Sequence, residues 1–293
     1  MQGVRLCGGN AMLLHTQGRF ALAVVTIVAG WGFAGVAAAG PGDQKFSIDF
    51  GLSFPSPDHN VTGSSGGTLQ LWDSGSNGST ITSLGIDYRL RLDSLINGGV
   101  NGANGANGQV TPPFTPLGPV AGAWGRVFLG GDDQNQVKFN FHPNAGNDTF
   151  SYYSRDWFFL PYVGYAFSLG EIGGRAADVT IFGGPRIEQR KIKLMTNELG
   201  TWSTFSDTET DLGFTFGFDV DFALWALFNV GNVGNLGNVG NTNAEPFFRF
   251  GAALDYNPNI SLSGRSTGQS IDYDDEVESS FEPRIFVGFG VKF

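Results

Sequence analysis

Residues 211–224 read Asp-Leu-Gly-Phe-Thr-Phe-Gly-Phe-Asp-Val-Asp-Phe-Ala-Leu. Leu212, Phe214, Phe216, Phe218, Val220, Phe222 and Leu224 alternate without a break against Asp211, Gly213, Thr215, Gly217, Asp219, Asp221 and Ala223. A period of two puts each set on its own face of a β-strand, whereas a helix would scatter both sets around its axis. One face therefore calls for an apolar neighbour and the other for a polar one.

The same alternation recurs at Phe46–Phe54, Leu84–Leu92, Phe248–Tyr256 and Ile285–Phe293, and more weakly at Ala121–Leu129, Trp157–Leu169 and Ala177–Ile187. Pro161 and Pro185 weaken two of these, since proline brings no donor to a strand paired on both sides. Eight strands result. A soluble sandwich also alternates, so the direction of the asymmetry matters more. The apolar face holds nearly all the Phe and Leu, and the other face holds Gly with charges of both signs. Asp49, Asp87, Asp178, Asp219, Asp221 and Asp255 oppose Arg89, Arg91, Arg186, Arg249, Arg284 and Lys292. Turned inward in a small closed barrel, these charges can pair, leaving the apolar face outside against lipid. The expected fold is an all-β, antiparallel transmembrane β-barrel of eight strands. Ten are possible if Thr68–Trp72 and Val137–Phe141 also join. Eight strands leave a lumen that side chains plug, while ten would open a narrow selective channel.

Connector lengths fit a barrel with long loops on one side. Polar stretches at roughly 54–84, 130–156, 188–210 and 257–283 read as long loops, and Gly170–Gly174 reads as a short turn. Two other connectors hold low-complexity inserts with a three-residue period, near 97–109 and 229–243, rich in Asn and Gly. Lacking the proline and unbroken Gly triplets of collagen, they read as flexible insertions.

The first residues belong to a different category. Phe20–Val36 is almost continuously apolar, Arg5 and Arg19 precede it, and Ala37-Ala38-Ala39 offers a small-residue cleavage site. This is the pattern of a cleavable secretory signal peptide over 1–39, with a barrel domain over 40–293. Cleavage would remove the single Cys, Cys7, and with it any disulfide or thiolate metal site. It would also leave 15 of the 17 bases against 27 acids, a net charge of minus 12, which argues against a nucleic-acid partner.

The last strand ends the chain on Phe293, preceded on the same face by Val291, Phe289, Val287 and Ile285. This ending resembles the terminal signal of bacterial outer-membrane proteins, which the barrel-assembly machinery recognises in that family. With the signal peptide and the amphipathic strands, the chain resembles small barrels of the opacity-type and outer membrane protein A-type class. The resemblance is one of architecture over 45–293. It implies a Gram-negative outer-membrane location with both termini periplasmic, and contact with outer-membrane lipid and lipopolysaccharide.

Candidate chemistry is sparse. After removal of the signal, His59 and His142 are the histidines. The Phe-His-Pro-Asn context of His142 does not resemble the His-x-Ser arrangement of deacylating barrels, so it reads as an uncommitted loop residue. The acidic run Asp272–Glu278 lacks the glycine and bidentate glutamate of a calcium loop and reads as solvated. Asn60, Asn77, Asn147 and Asn259 open Asn-x-Ser/Thr triplets in the same polar segments. No cofactor, metal or catalytic residue is expected. The expected role is structural or surface contact with an unspecified ligand; the alternatives are a small diffusion pore and a secreted soluble β-protein.

Overall fold

A computed structural model describes residues 44–55, 58–65, 68–74, 80–92, 114–129, 133–142, 145–172, 175–198, 201–224, 245–265 and 271–293. The signal segment and both Asn-Gly inserts lie outside these residues. No helix among them is long and apolar enough to cross a membrane, which says nothing of strands.

Eight antiparallel strands close a ring. In ring order they are β1 (Gln44–Ser53), β4 (Ile81–Arg91), β5 (Thr115–Phe128), β7 (Ala145–Ile172), β8 (Arg175–Glu198), β9 (Thr201–Ala223), β10 (Glu245–Asn257) and β13 (Ser280–Lys292). Each of the eight alternating segments lies on one of them. The ring shuts where the first strand meets the last, with Phe46 opposite Val291 and Phe50 opposite Val287, so this level of the sheet has no free edge.

Alternation sets the two faces as the sequence requires. Phe50, Phe214, Phe216 and Phe289 point outward and are 56%, 49%, 58% and 56% exposed, while Arg284, Arg186 and Asp219 inside are at 0%. On β9 the outward apolar residues run from Leu212 to Phe222. Ten steps of about 3.3 Å, tilted by about 40°, give a band roughly 25 Å tall, the height of a bilayer's apolar layer.

The two weakening prolines stand opposite each other. In β7 and β8 the pairing runs from Asp148↔Asn197 to Phe159↔Ile187 and resumes at Val163↔Gly183. Pro161 and Pro185 fall in the interval. Two adjacent residues without an N–H cannot sustain a ladder there, but each strand keeps its other neighbour, through Ala123↔Pro161 and Pro185↔Phe214.

The long polar segments were expected to be loops, and here the structure differs. β7, β8 and β9 are 28, 24 and 23 residues long and rise well past the apolar band, and β6 (Asp133–His142) pairs with the upper part of β7. Facing them stands a second sheet of β11 (Ile260–Arg265), β12 (Asp272–Val277), β2 (His59–Ser65) and β3 (Thr68–Ser74). The candidate ninth and tenth strands, Thr68–Trp72 and Val137–Phe141, therefore exist as β3 and β6 but belong to this upper storey. Its interior is apolar: Val61, Tyr153, Ile192, Leu194, Ile260, Leu262, Ile271, Tyr273 and Val277 form one buried cluster with Phe205 packed against it. Alternation continues through these segments with its meaning reversed. On β8, Arg186 and Glu188 point into the barrel and Ile192 and Leu194 into the storey above, while outward Ile187 gives way to Lys191 and Lys193. Such a polar segment forms sheet because it still has one apolar face to bury.

Candidate functional site: the sealed lumen

Inward side chains fill the ring in layers. At the rim formed by the start of β1 and the end of β13, Lys45 Nζ lies 3.0 Å from Asp178 and 2.8 Å from Asp221, and Lys292 is 4.0 Å from Asp178. These residues line a small mouth with Ala223, Glu245 and Phe247. Arg91 sits half-buried near this rim.

One layer deeper, two arginines and two aspartates form a quartet. Arg89 donates to Asp219 at 2.5 Å, and Arg249 bridges Asp87 at 2.6 Å and Asp219 at 2.5 Å. The Tyr162 hydroxyl donates to Asp87 at 2.8 Å and accepts from Arg89 Nε at 3.0 Å. Burying four charges is tolerable only because each meets an opposite charge and directed hydrogen bonds.

The middle of the lumen is aromatic. Trp124 meets Phe286, Phe158 and Phe182 edge-on, with ring centroids 4.7, 6.0 and 5.9 Å away. Its indole N–H donates to Asp49 at 3.0 Å, and Asp49 also accepts from Arg126. Guanidinium carbons of Arg284 and Arg126 lie 4.5 and 4.6 Å from the Trp124 ring, so the rings join charged layers as cation–π partners. The plate needs room in the wall: a Cβ on Gly251 would strike the Phe286 ring and lie 2.6 Å from the Phe218 carbonyl oxygen.

Above the rings lies a second charged layer. Asp255 accepts from Arg186 at 2.8 Å, Arg284 at 3.1 Å and the Thr215 hydroxyl at 2.8 Å. Arg155 reaches Glu188 and Glu282, the latter at 2.6 Å, and Arg186 reaches Glu188 at 2.7 Å. Arg190 closes on Asp211 at 2.6 Å. Where ring and storey join, Ser151 Oγ donates to Asp275 and lies 3.0 Å from His59 Nδ1, all three sealed from solvent. This polar pin ties β7 to β2 and β12. Burial pushes the neighbouring Tyr153 phenol far above its usual range, which leaves it a neutral hydroxyl in the storey's core.

The residues expected to line the lumen thus fall into four places, with Arg91 and Lys292 near the rim. Asp87, Arg89, Asp219 and Arg249 form the quartet, Asp178 and Asp221 the mouth, and Arg186, Asp255 and Arg284 the upper layer, with Asp49 beside the aromatic plate. Of the terminal residues, Ile285, Val287, Phe289 and Phe293 are exposed on the outer face, Val291 is half-buried, and the Phe293 N–H donates to the Gln44 carbonyl at 2.9 Å.

Sequence reasoning missed Lys45, Arg126, Arg155, Glu188, Arg190, Glu282 and the rings of Trp124 and Phe286 as one assembly. Glu282 shares its parity with Arg284 and could have been found. Arg155 could not, because a bulge between Arg155 and Trp157 shifts the register just beyond it. The acidic run also needs correction: Asp272–Val277 is strand β12, with Asp272, Asp274 and Glu276 outward and Tyr273, Asp275 and Val277 buried, since tyrosine and valine at alternate positions give it a core face. Asn60 and Asn259 likewise bind acids, Glu278 at 2.6 Å and Glu276 at 3.2 Å. Asn77 and the His142 side chain lie outside the described residues.

No family model matches the chain, and no curated protein does. Among solved structures the chain is similar to Ail, the attachment invasion locus protein of Yersinia pestis, at 12% identity and a TM-score of 0.26, covering 86% of this chain and 99% of that one. It is also similar to the outer membrane protein OprG from Pseudomonas aeruginosa, at 12% identity and a TM-score of 0.38, covering 87% and 98%. The outer membrane protease OmpT from Escherichia coli is similar at 11% identity and a TM-score of 0.25, covering 84% and 97%. At these scores the barrel assignment rests on this chain's own ring of strands.

Proposed function

We propose that this chain is an integral outer-membrane β-barrel of a Gram-negative bacterium, with a plugged lumen and a surface-contact role carried by its upper storey. The observation that carries the reading is the reversal of polarity along single strands. The ring exposes phenylalanines and buries arginines, and the storey buries isoleucine and leucine and exposes serine and threonine. A soluble protein would not leave so large a continuous apolar band in water. On this reading the rim that carries Gln44, at the start of β1, and Lys292, at the end of β13, is the periplasmic one, and the storey at the opposite end projects outward. The terminal strand with its exposed Ile285, Val287, Phe289 and Phe293 is the segment offered to the barrel-assembly machinery.

The layered lumen favours a plug over a diffusion pore, because the Trp124 plate and both charged layers cross the ring without leaving room for a water column. We read the protein as non-catalytic. His59, Ser151 and Asp275 are sealed, and Ser151 and Asp275 both approach the Nδ1 side of the ring, so Ser151 lacks a relayed base. The test is the mature chain in detergent: a folded band that migrates differently before and after boiling is expected. Full solubility of the folded chain without detergent would overturn the reading.

A further inference from the structure

The upper storey has two outer walls, and they differ in charge. One is the outer face of β7, β8 and β9, where Lys191 and Lys193 lie half-buried, flanked in register by Ser154 and Thr208 and by Tyr152 and Ser206. Lys193 Nζ sits 5.5 Å from the centre of the Tyr152 ring. The other is the outer face of β12, where Asp272, Asp274 and Glu276 are exposed. Exposed Glu278 continues it, because its N–H donates to the Asp58 carbonyl at 2.9 Å and carries the pairing one residue past Val277. Asn259 donates to Glu276 at 3.2 Å and Asn60 to Glu278 at 2.6 Å, so both carboxylates meet neutral amides. Arg265 faces Asp272 at 3.6 Å. The apolar cluster that holds Ile192, Leu194, Tyr273 and Val277 lies between the two sheets, so their outer faces point in opposite directions.

Two sealed contacts fix the heights of these walls. Ser151, whose register partner on β8 is Leu194, donates to Asp275. Two residues further up β8, Thr196 donates to the Tyr273 hydroxyl at 3.0 Å. β12 therefore descends as β8 rises, with Asp275 level with Leu194 and Tyr273 with Thr196. The outward residues follow the same correspondence. Glu276 stands at the height of Lys193, and Glu278 at that of Lys191. Apolar residues match as well. Leu71, 68% exposed, shares a row with Thr62 and Asp274, at the height of Met195. Beside Met195 lies Phe150, which stacks with the exposed Trp202 at 6.1 Å.

We propose that copies of this chain dock side by side in the membrane, the β8 wall of one against the β12 wall of the next. The apolar band holds every copy upright and at one depth, so little orientational search remains. Moving a copy sideways without rotation brings Lys193 to Glu276 of the next copy, Lys191 to Glu278, and the Phe150 and Trp202 rings to Leu71. A two-fold pair would instead set lysine against lysine or carboxylate against carboxylate, which repel. The contact is head-to-tail and grows into rows. Exposed ion pairs are individually weak and screened by salt, so the rows depend on confinement in the membrane plane. This inference rests on the outer-membrane reading above.

The test uses the mature chain refolded into phosphatidylcholine vesicles, with single cysteines beside the charges and disulfide formation read on gels. Cys7 is the only cysteine of the chain and falls in the expected signal segment, so each introduced thiol stands alone. Ser206 is the register partner of Lys193 and Ser261 that of Glu276, on the side of the storey where β9 and β11 adjoin. A mixture of S206C and S261C chains is expected to cross-link, and neither variant by itself. Adding K191E/K193E to the S206C chain should cut the cross-link about tenfold, and adding E276K/E278K to the S261C chain should then restore it. A mixed cross-link no stronger than that of either variant alone, its survival through K191E/K193E, or a failure of E276K/E278K to restore it would each overturn the inference while the heat-modifiable folded band remains. Failure of the chain to insert would overturn the outer-membrane reading, and this inference with it.

Discussion

Trp124 and Phe286 meet edge to face in the centre of the ring, their centroids 4.7 Å apart, although they come from strands that are not neighbours in the sheet. This contact closes the lumen at its middle. Replacing either ring by alanine removes a large buried side chain at a cost of about 3–5 kcal/mol. Trp124→Ala is expected to lower the temperature at which the folded band is lost on heating, without opening a channel, since charged layers remain above and below. The W124A/F286A double variant should lower it further and still show no discrete conductance in planar bilayers, because both charged layers remain in place.

Asp255 receives Arg186, Arg284 and Thr215 within 3.1 Å. Asp255→Ala would leave two buried guanidinium groups short of a partner, and breaking such a network costs about 3–5 kcal/mol. The expected result is a marked loss of refolding yield and of resistance to urea. Asp272→Ala, on the exposed face of β12, should change neither.

The apolar band makes a directional prediction. Phe216 faces outward at mid-height, and an arginine there costs about 2–4 kcal/mol in a bilayer. Phe216→Arg should impair insertion into vesicles, whereas Thr204→Arg, outward on the same strand but in the upper storey, should insert normally. Equal insertion of both would remove the band from the membrane.

Glu209 supplies a pH dependence outside the band. Burial, then Asp211 and Asp207 beside it, push its carboxyl above the usual range in the folded storey. A raised acid binds more protons folded than unfolded, so the storey gains stability as pH falls through that raised value, and the penalty is full above it. Glu209→Gln is therefore expected to make the storey more resistant to protease at pH 7 and to make no difference near pH 4. A larger benefit at pH 4 would contradict this origin.

The ring was legible in the sequence because its strands obey one simple condition. Leu212–Leu224 carries its large apolar residues in strict alternation and Ile285–Phe293 does so with Phe286 as the exception, and a lipid-facing wall tolerates few polar interruptions. The segments at 188–210 and 257–283 were harder to read, because a solvated strand with a half-apolar inner face resembles a polar loop. Only the facing sheet shows that Ile192, Leu194, Ile260 and Leu262 share one core. His59 and Ser151 are separated by 92 residues in the chain and meet Asp275 at the junction for the same reason.

Alternation, the signs of the inward charges and the terminal Phe293 are local properties, so the sequence by itself determined strand, face and the need for a closed apolar exterior. Which arginine meets which aspartate was not local. Arg249 joins Asp87 across 162 residues and Arg155 joins Glu282 across 127, through a lumen whose partners depend on ring order, register and the bulge beside Arg155. Those pairings, the aromatic plate and the storey above the band were decided by the tertiary structure, because only closure brings side chains from distant strands into one dry interior.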